Sequence, residues 1–276
     1  MKLLQWNLQW CRGIDGRVDP ARIARVARDL CDPDLCCFQE IAVNYPALEE
    51  SRGEDQAALL AREFAGFSAH FACGVDVPDG AGGRSRFGNM ILSRLPVGRV
   101  SRHSLPWPAE DDVPSMPRVA LEAVIETPWG PVRLATTHLE YYSAVQRAAQ
   151  VERLCALEDE ARAWARARKS QRYATGPFAP LARPAASILT GDFNMRPDDP
   201  LVARLRQRYA DAWQVAHPGT PHAPTFCLHG REDGEEPYCC DFVFASEELA
   251  PRIADVRVDF ECTASDHQPV VVEFRP

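Results

Sequence analysis

The chain has 276 residues, 46% of them hydrophobic, which is enough apolar material for a large buried core and excludes a disordered or fibrous class. Its net charge is −8, and its basic residues are arginines apart from Lys2 and Lys169. An acidic chain is a poor general binder of polyanions, so a nucleic-acid substrate would require a local basic groove.

No apolar run is long enough to predict a membrane span. Met1-Lys2-Leu3-Leu4 leads into Trp6-Asn7 without the apolar stretch of a secretory signal. The ten cysteines form no CxxC spacing. Cys36-Cys37 and Cys239-Cys240 are adjacent pairs in apparent strands, where neighbouring side chains point to opposite faces. Buried free thiols in a reducing compartment, and hence a cytoplasmic location, are the expectation. Nothing in the sequence predicts a protein partner.

In chain order, Lys2 to Leu8 reads as a strand. Asp19-Pro20 reads as a helix cap followed by proline in the first turn, with Ile23, Val26, Ala27 and Leu30 as the apolar stripe. Asp32-Pro33-Asp34 ends that helix. Leu35 to Phe38 is a short strand ending at Gln39-Glu40, and Gln56 to Phe64 a second helix. Strands follow near Ser68–Cys73, Phe87–Ser93, Val97–Ser101, Arg118–Glu126 and Val132–Thr137. The longest helix runs from about Ala144 to Arg168, with Val151, Leu154, Leu157, Ala161 and Trp164 on one face. Ile188-Leu189-Thr190 is a buried strand, Asp199-Pro200 caps a further helix, and Asp241–Ala245, Ala254–Phe260 and Val270–Phe274 complete the strands.

Three stretches read as loops: glycine-rich Pro78–Ser85, proline-rich and acidic Ser104–Pro117, and Ser170–Pro184 between a helix and a strand. No composition shift marks a linker, so residues 1–276 read as one domain. Strands outnumber helices and several neighbouring strand pairs read as short hairpins, a pattern that suggests two mixed sheets packed together with helices outside.

The chemistry-bearing residues share one placement: each lies where an apolar strand ends. Asn7 follows Leu3 to Trp6, Glu40 follows Leu35 to Phe38, and His138 follows Leu134 to Thr137. Asp192 and Asn194 follow Ile188 to Thr190, and Asp266-His267 precede the last strand. Strands that end together would gather these groups on one rim. Singly, each has a plainer role as a turn cap, an Asx-turn or a solvated carboxylate.

Together, Trp6-Asn7, Gln39-Glu40, Gly88 to Arg94, Thr137-His138-Leu139, Gly191-Asp192-Phe193-Asn194, Cys240 to Phe244 and Ser265-Asp266-His267 resemble the endonuclease/exonuclease/phosphatase superfamily. Gly-Asp-Phe-Asn and Ser-Asp-His are the specific elements. The resemblance implies a four-layered α/β/β/α sandwich with two mixed sheets, like that of the pancreatic-type DNases. It also implies Mg²⁺- or Mn²⁺-dependent hydrolysis of a phosphoric ester by an activated water. Glu40 is then the principal metal ligand, with Asn7 and Asp266 completing the site. Asp192 holds and deprotonates the water. His267 contacts the scissile phosphate or acts as base, oriented by Asp241. Asn194 donates to non-bridging oxygens, and His138 is a phosphate contact or a general acid. Arg118 is a substrate-binding candidate or the partner of a core carboxylate. On the glycine-rich loop, Arg84, with Arg86 nearby, is a candidate grip on one phosphate.

Two departures bear on substrate. Gln9 stands where some nucleases of the family carry an acidic ligand, and Phe242 stands where the inositol-phosphatase branch carries arginine. The leading expectation is a nuclease or other phosphodiesterase, with nucleic acid among the candidate substrates. The alternatives are a phosphatase, or a lipid or small-molecule phosphodiesterase, and last a non-catalytic binding module. If acidic Glu110-Asp111-Asp112 border the cleft, a long polyanion would be repelled.

Overall fold

The computed structural model describes residues 1–168, 172, 175–229 and 236–276. Within them the order is β1 (Lys2–Asn7), α1 (Pro20–Cys31), β2 (Leu35–Val43), α2 (Gln56–Glu63), β3 (Ser68–Pro78), β4 (Arg84–Ser93), β5 (Val97–Ser104), β6 (Val119–Thr127) and β7 (Gly130–His138). There follow α3 (Ala144–Arg166), β8 (Ser187–Asp192), α4 (Pro200–Arg206), β9 (Ala210–Asp211), α5 (Ala212–Ala216), β10 (Asp241–Ala245), β11 (Ile253–Val258) and β12 (Val270–Phe274). One six-stranded sheet has the order β11-β12-β1-β2-β4-β3 and the other β5-β6-β7-β8-β10-β9. Both are mixed: β1 and β2 run parallel, as do β7 and β8, and their other neighbours are antiparallel.

Period-two alternation assigns each strand residue to a layer. Leu3, Leu35 and Cys37 of the first sheet meet Leu121, Leu134, Ile188 and Val243 of the second in the central layer. The next residues along, Leu4, Cys36 and Phe38, face the other way onto Ile23 and Ala27 of α1 and Leu60 of α2. On the far side, Ala120, Leu189, Phe242 and Phe244 pack on Val151 and Leu154 of α3 and Val202 and Leu205 of α4. The result is the four-layered α/β/β/α sandwich. Helix starts follow the capping chemistry, with Asp19 accepting from the Arg22 amide, Ser143 from Gln146 and Asp199 from Leu201. No described helix is long and apolar enough to cross a membrane.

Several boundaries differ from the sequence reading. Strand β2 continues past Glu40 to Val43. Strands β3 and β4 are longer than expected and close a hairpin over the glycine-rich stretch, pairing Pro78 with Arg84. On α3 the stripe holds for Val151 and Leu154, but Trp164 is 58% exposed and lies under the Arg183 guanidinium, 4.5 Å from its ring centre, instead of in the core. Of the Ser170–Pro184 loop, residues 170, 171, 173 and 174 lie outside the described residues. All ten cysteines are free, and Cys36 and Cys37 enter opposite layers as their adjacency requires.

Candidate active site

Along four strands the central-layer positions change character toward one end. Strand β1 runs Leu3, Gln5, Asn7; β7 runs Leu134, Thr136, His138; β8 runs Ile188, Thr190, Asp192, all of them buried. Antiparallel β10 runs the other way and presents Val243 and then Asp241. The middle positions join the sheets through polar contacts. Gln39 Nε2 donates to Thr136 Oγ1 at 2.8 Å and to Gln5 Oε1 at 3.0 Å, and Thr190 Oγ1 donates to Gln5 Oε1 at 3.1 Å. Gln5 Nε2 also reaches Asp241 Oδ1 at 3.3 Å. This buried, mutually satisfied ladder fixes the sheets relative to each other one step below the site.

Regular alternation would send Glu40 toward the helices. A bulge redirects it: between the pairs Phe38–Met90 and Ile41–Gly88, Gln39 and Glu40 both stand opposite Asn89, and Glu40 has φ +59°. Glu40 is therefore a mid-strand residue turned into the cleft, not a strand end. Gly191 is required for a related reason. Its φ is +150°, and a Cβ there would lie 2.0 Å from the Thr137 carbonyl oxygen, closing the approach of β7 to β8 beside Asp192.

Asp192 Oδ2 is where the site converges. It accepts from Asn7 Nδ2 at 2.9 Å, with His138 Nε2 at 3.5 Å and His267 Nε2 at 3.7 Å. Its other oxygen accepts the Asn194 amide at 2.9 Å, while the Asn194 side chain donates to Leu139 O at 2.8 Å. The His267 Nδ1 lies 2.9 Å from Asp241 Oδ2, and Thr225 Oγ1 donates to the same oxygen at 2.7 Å. Trp6 Nε1 anchors the His267 carbonyl at 2.9 Å, and Ser265 Oγ donates to the Asn7 carbonyl at 2.8 Å, tying the last motif to the first strand.

Burial and neighbouring charges set the protonation states. Burial alone would discharge His267, but Asp241 and Asp192 outweigh it and push its pKa up to about 10. Burial, reinforced by the Arg118 and His267 charges, holds His138 neutral, well below the ordinary histidine range. Burial raises Asp192, against the pull of His267, and makes it a stronger base than an exposed carboxylate. Glu40 is raised to about 7 by burial and by the charge of Asp266.

A hard cation between Glu40 and Asp266 would offset the repulsion between them, and their carboxylate oxygens are donors of the kind such a cation takes. Asn7 is placed differently from the sequence expectation. Its Nδ2 bridges Glu40 Oε1, at 3.0 Å, and Asp192 Oδ2, and its Oδ1 takes the Gln9 amide, so in this geometry it joins two carboxylates as a donor. A second cluster, Asp192, Cys240 and His267, brings its ligand atoms within 4.8 Å of one another. Its chemistry does not suit the same ion: the Cys240 thiol is held protonated by burial and by Asp192, and the Nδ1 of His267 faces Asp241.

Arg118 sits on the wall of the cleft, 7% exposed. Its Nε donates to Glu140 Oε2 at 3.2 Å, and its NH1 is buried without a hydrogen-bond partner among the described residues. Glu140 is fully buried, and its other oxygen accepts the amides of Tyr141 and Tyr142 at 2.9 and 3.0 Å. Sequence reasoning missed Glu140, two residues after His138 and past the end of β7, and Thr225, which lies in an irregular segment. Arg84 is not part of the assembly. It pairs with Asp76 across the β3–β4 hairpin and does not line the cleft. Of the acidic loop it is Met116 that lines the cleft; Glu110, Asp111 and Asp112 do not line it, and Glu110 accepts from Ser143 at the start of α3.

The family model for the endonuclease/exonuclease/phosphatase family matches residues 4–267. The chain belongs to that family. Among solved structures, it is similar to an endonuclease/exonuclease/phosphatase from Beutenbergia cavernae DSM 12333, with TM-score 0.69 and 24% identity over 100% of this chain and 71% of that one. A functionally unknown conserved protein from Enterococcus faecalis V583 gives 0.67 and 18% over 99% and 98%. Truncated TDP2 from Caenorhabditis elegans gives 0.65 and 17% over 100% and 97%. At these identities the likeness shows the fold. No curated protein matches the sequence. Family membership carries a phosphoesterase-type fold, and enzymes of the family are generally dependent on divalent metal.

Proposed function

We propose that the chain is a metal-dependent phosphodiesterase that hydrolyses a P–O ester bond with a water held by Asp192. The observation that carries this reading is the convergence of Asn7, His138 and His267 on one buried carboxylate oxygen with a raised pKa. Glu40 and Asp266 would hold the cation, which when bound supplies charge neutralisation at the phosphoryl oxygens. In the reaction, Asp192 takes a proton from water as the water oxygen bonds to phosphorus. The ester P–O bond breaks, its electron pair stays on the leaving oxygen, and that oxygen is protonated by solvent at the open side of the cleft.

The protonation states narrow the two roles left open for His267. A histidine held charged by Asp241 and Asp192 serves as a fixed cation facing the developing negative charge, while the base is Asp192. Neutral His138 donates one hydrogen bond to a non-bridging oxygen, and Asn194 places Asp192 through its backbone amide. Arg118 presents NH1 to the phosphate.

Hydrolysis of methyl p-nitrophenyl phosphate in Mg²⁺ or Mn²⁺, with EDTA as control, tests the reading. Turnover that vanishes with EDTA is expected, and Glu40→Gln is expected to need more metal for the same rate. Turnover unaffected by chelation removes the metal-dependent mechanism. No turnover in either metal removes the reaction.

A further inference from the structure

The cleft above the Asp192 group has a volume of about 440 Å³, a size that encloses a small molecule. Its walls are aromatic: Trp10, Tyr45, Phe87, Tyr141, Tyr142 and Phe226 surround the polar floor. Tyr141 and Tyr142 meet edge to face at 4.8 Å between ring centres, Tyr45 and Phe87 at 6.4 Å. Tyr141 and Tyr142 are 38% and 63% exposed, a large apolar surface left open beside a reaction centre. The rings are held, not loose. Glu140 fixes the backbone of Tyr141 and Tyr142, and Trp10 Nε1 donates to Glu49 O at 3.0 Å.

Positive charge is scarce in the same place. Arg118 is the one lysine or arginine lining the cleft among the described residues. The arginines next to the aromatic wall in sequence are already spent: Arg12 on Glu49, Arg86 on Asp76, and Arg147 on the carbonyls of Glu140 and Tyr141. A nucleic-acid backbone needs a track of cations for successive phosphates, and a single arginine beside one metal position serves one phosphate.

Resting on the reading of the site as a phosphodiesterase, we propose that its substrate is a small phosphoester with one phosphate and a flat, uncharged aromatic substituent. Arg118 takes the phosphate, and the tyrosine pair and Trp10 take the ring. The uncharged stacking surface then selects the substrate, and the polyanion is refused for want of counter-charge.

The test separates binding from turnover. Phenylphosphonate and methylphosphonate, which are not hydrolysed, are titrated calorimetrically into the protein with Mg²⁺ present. Phenylphosphonate is expected to bind about tenfold tighter, and the double variant Trp10→Ala/Tyr142→Ala is expected to lose most of that ratio. Equal affinities in the wild type overturn the proposal, as does a ratio unchanged in the double variant. Oligothymidylates of increasing length supply the counter-test: kcat/KM that climbs with length overturns the single-phosphate substrate, and a flat profile supports it. Hydrolysis of methyl p-nitrophenyl phosphate without a phenyl preference removes the substrate class and leaves the reaction standing. A phenyl preference without hydrolysis removes the reaction and leaves the aromatic subsite.

Discussion

The layer between the two sheets has two ends built from the same strands. At one end Leu3, Leu134, Ile188 and Val243 fill the gap with apolar side chains; at the other Asn7, His138, Asp192 and Asp241 occupy equivalent inward positions. Apart from the bulge at Glu40 and the positive φ of Gly191, the same strand backbone serves both. A step of two residues along each strand passes from packing to hydrogen bonding, through Gln5, Thr136 and Thr190, and a further step reaches the polar floor of the cleft. The apolar end stabilises by burial alone. The polar end places charged groups out of water at a cost, and holds them there because the amide and hydroxyl ladder below leaves them little freedom to relax.

Substitutions at matched positions test this division. The largest expected effect is on activity: Asp192→Asn removes the proposed base and is expected to lower kcat about a thousandfold. Because it also removes a buried, partly charged carboxyl, the same variant is expected to unfold at no lower temperature. A lowered melting midpoint would show that Asp192 stabilises the fold. At the apolar end Leu134→Ala is expected to cost about 2–5 kcal/mol in urea unfolding while the folded fraction keeps its turnover. Between them, Gln39→Leu leaves Thr136 and Gln5 short of partners. A loss of about 1–3 kcal/mol is expected, accompanied by reduced kcat, and unchanged activity would uncouple the ladder from the site.

The smallest effect lies away from both ends. Asp211, at the edge of the second sheet, is largely buried, which would raise its pKa. The hydrogen bond from His222 at 2.9 Å, with Arg206 beside it, outweighs burial and holds the carboxyl below the ordinary value. A depressed folded pKa contributes stability that is present above about pH 4 and is lost as pH falls through the folded value. Asp211→Asn is expected to flatten the stability profile below that pH, with turnover untouched.

Much of this was legible in the sequence because periodicity and capping are local. Strand identities, the Asp19-Pro20 and Asp199-Pro200 helix starts and the gathering of strand-end polar residues all follow from neighbours in the chain. Glu40 shows the limit. Its residue type was readable, but the bulge that turns it into the cleft depends on how β2 pairs with β4, which adjacent residues do not encode. Arg84 shows the same limit in reverse. A glycine-rich loop with arginines suggested a phosphate grip, and only the cross-strand pairing reveals Asp76 as its partner. Glu140 was passed over because a carboxylate after an apparent strand reads as solvated until Arg118, distant in sequence, is brought against it.

The continuation of β2 beyond the Glu40 bulge has a mechanical consequence. Ala42 pairs with Phe87, and Phe87 with Val75, so the strand that carries the acidic floor of the cleft also carries part of its side wall. Swinging that wall outward would tear a hydrogen-bonded ladder. On this side the opening keeps a set width, and a substrate enters by matching the shape it meets.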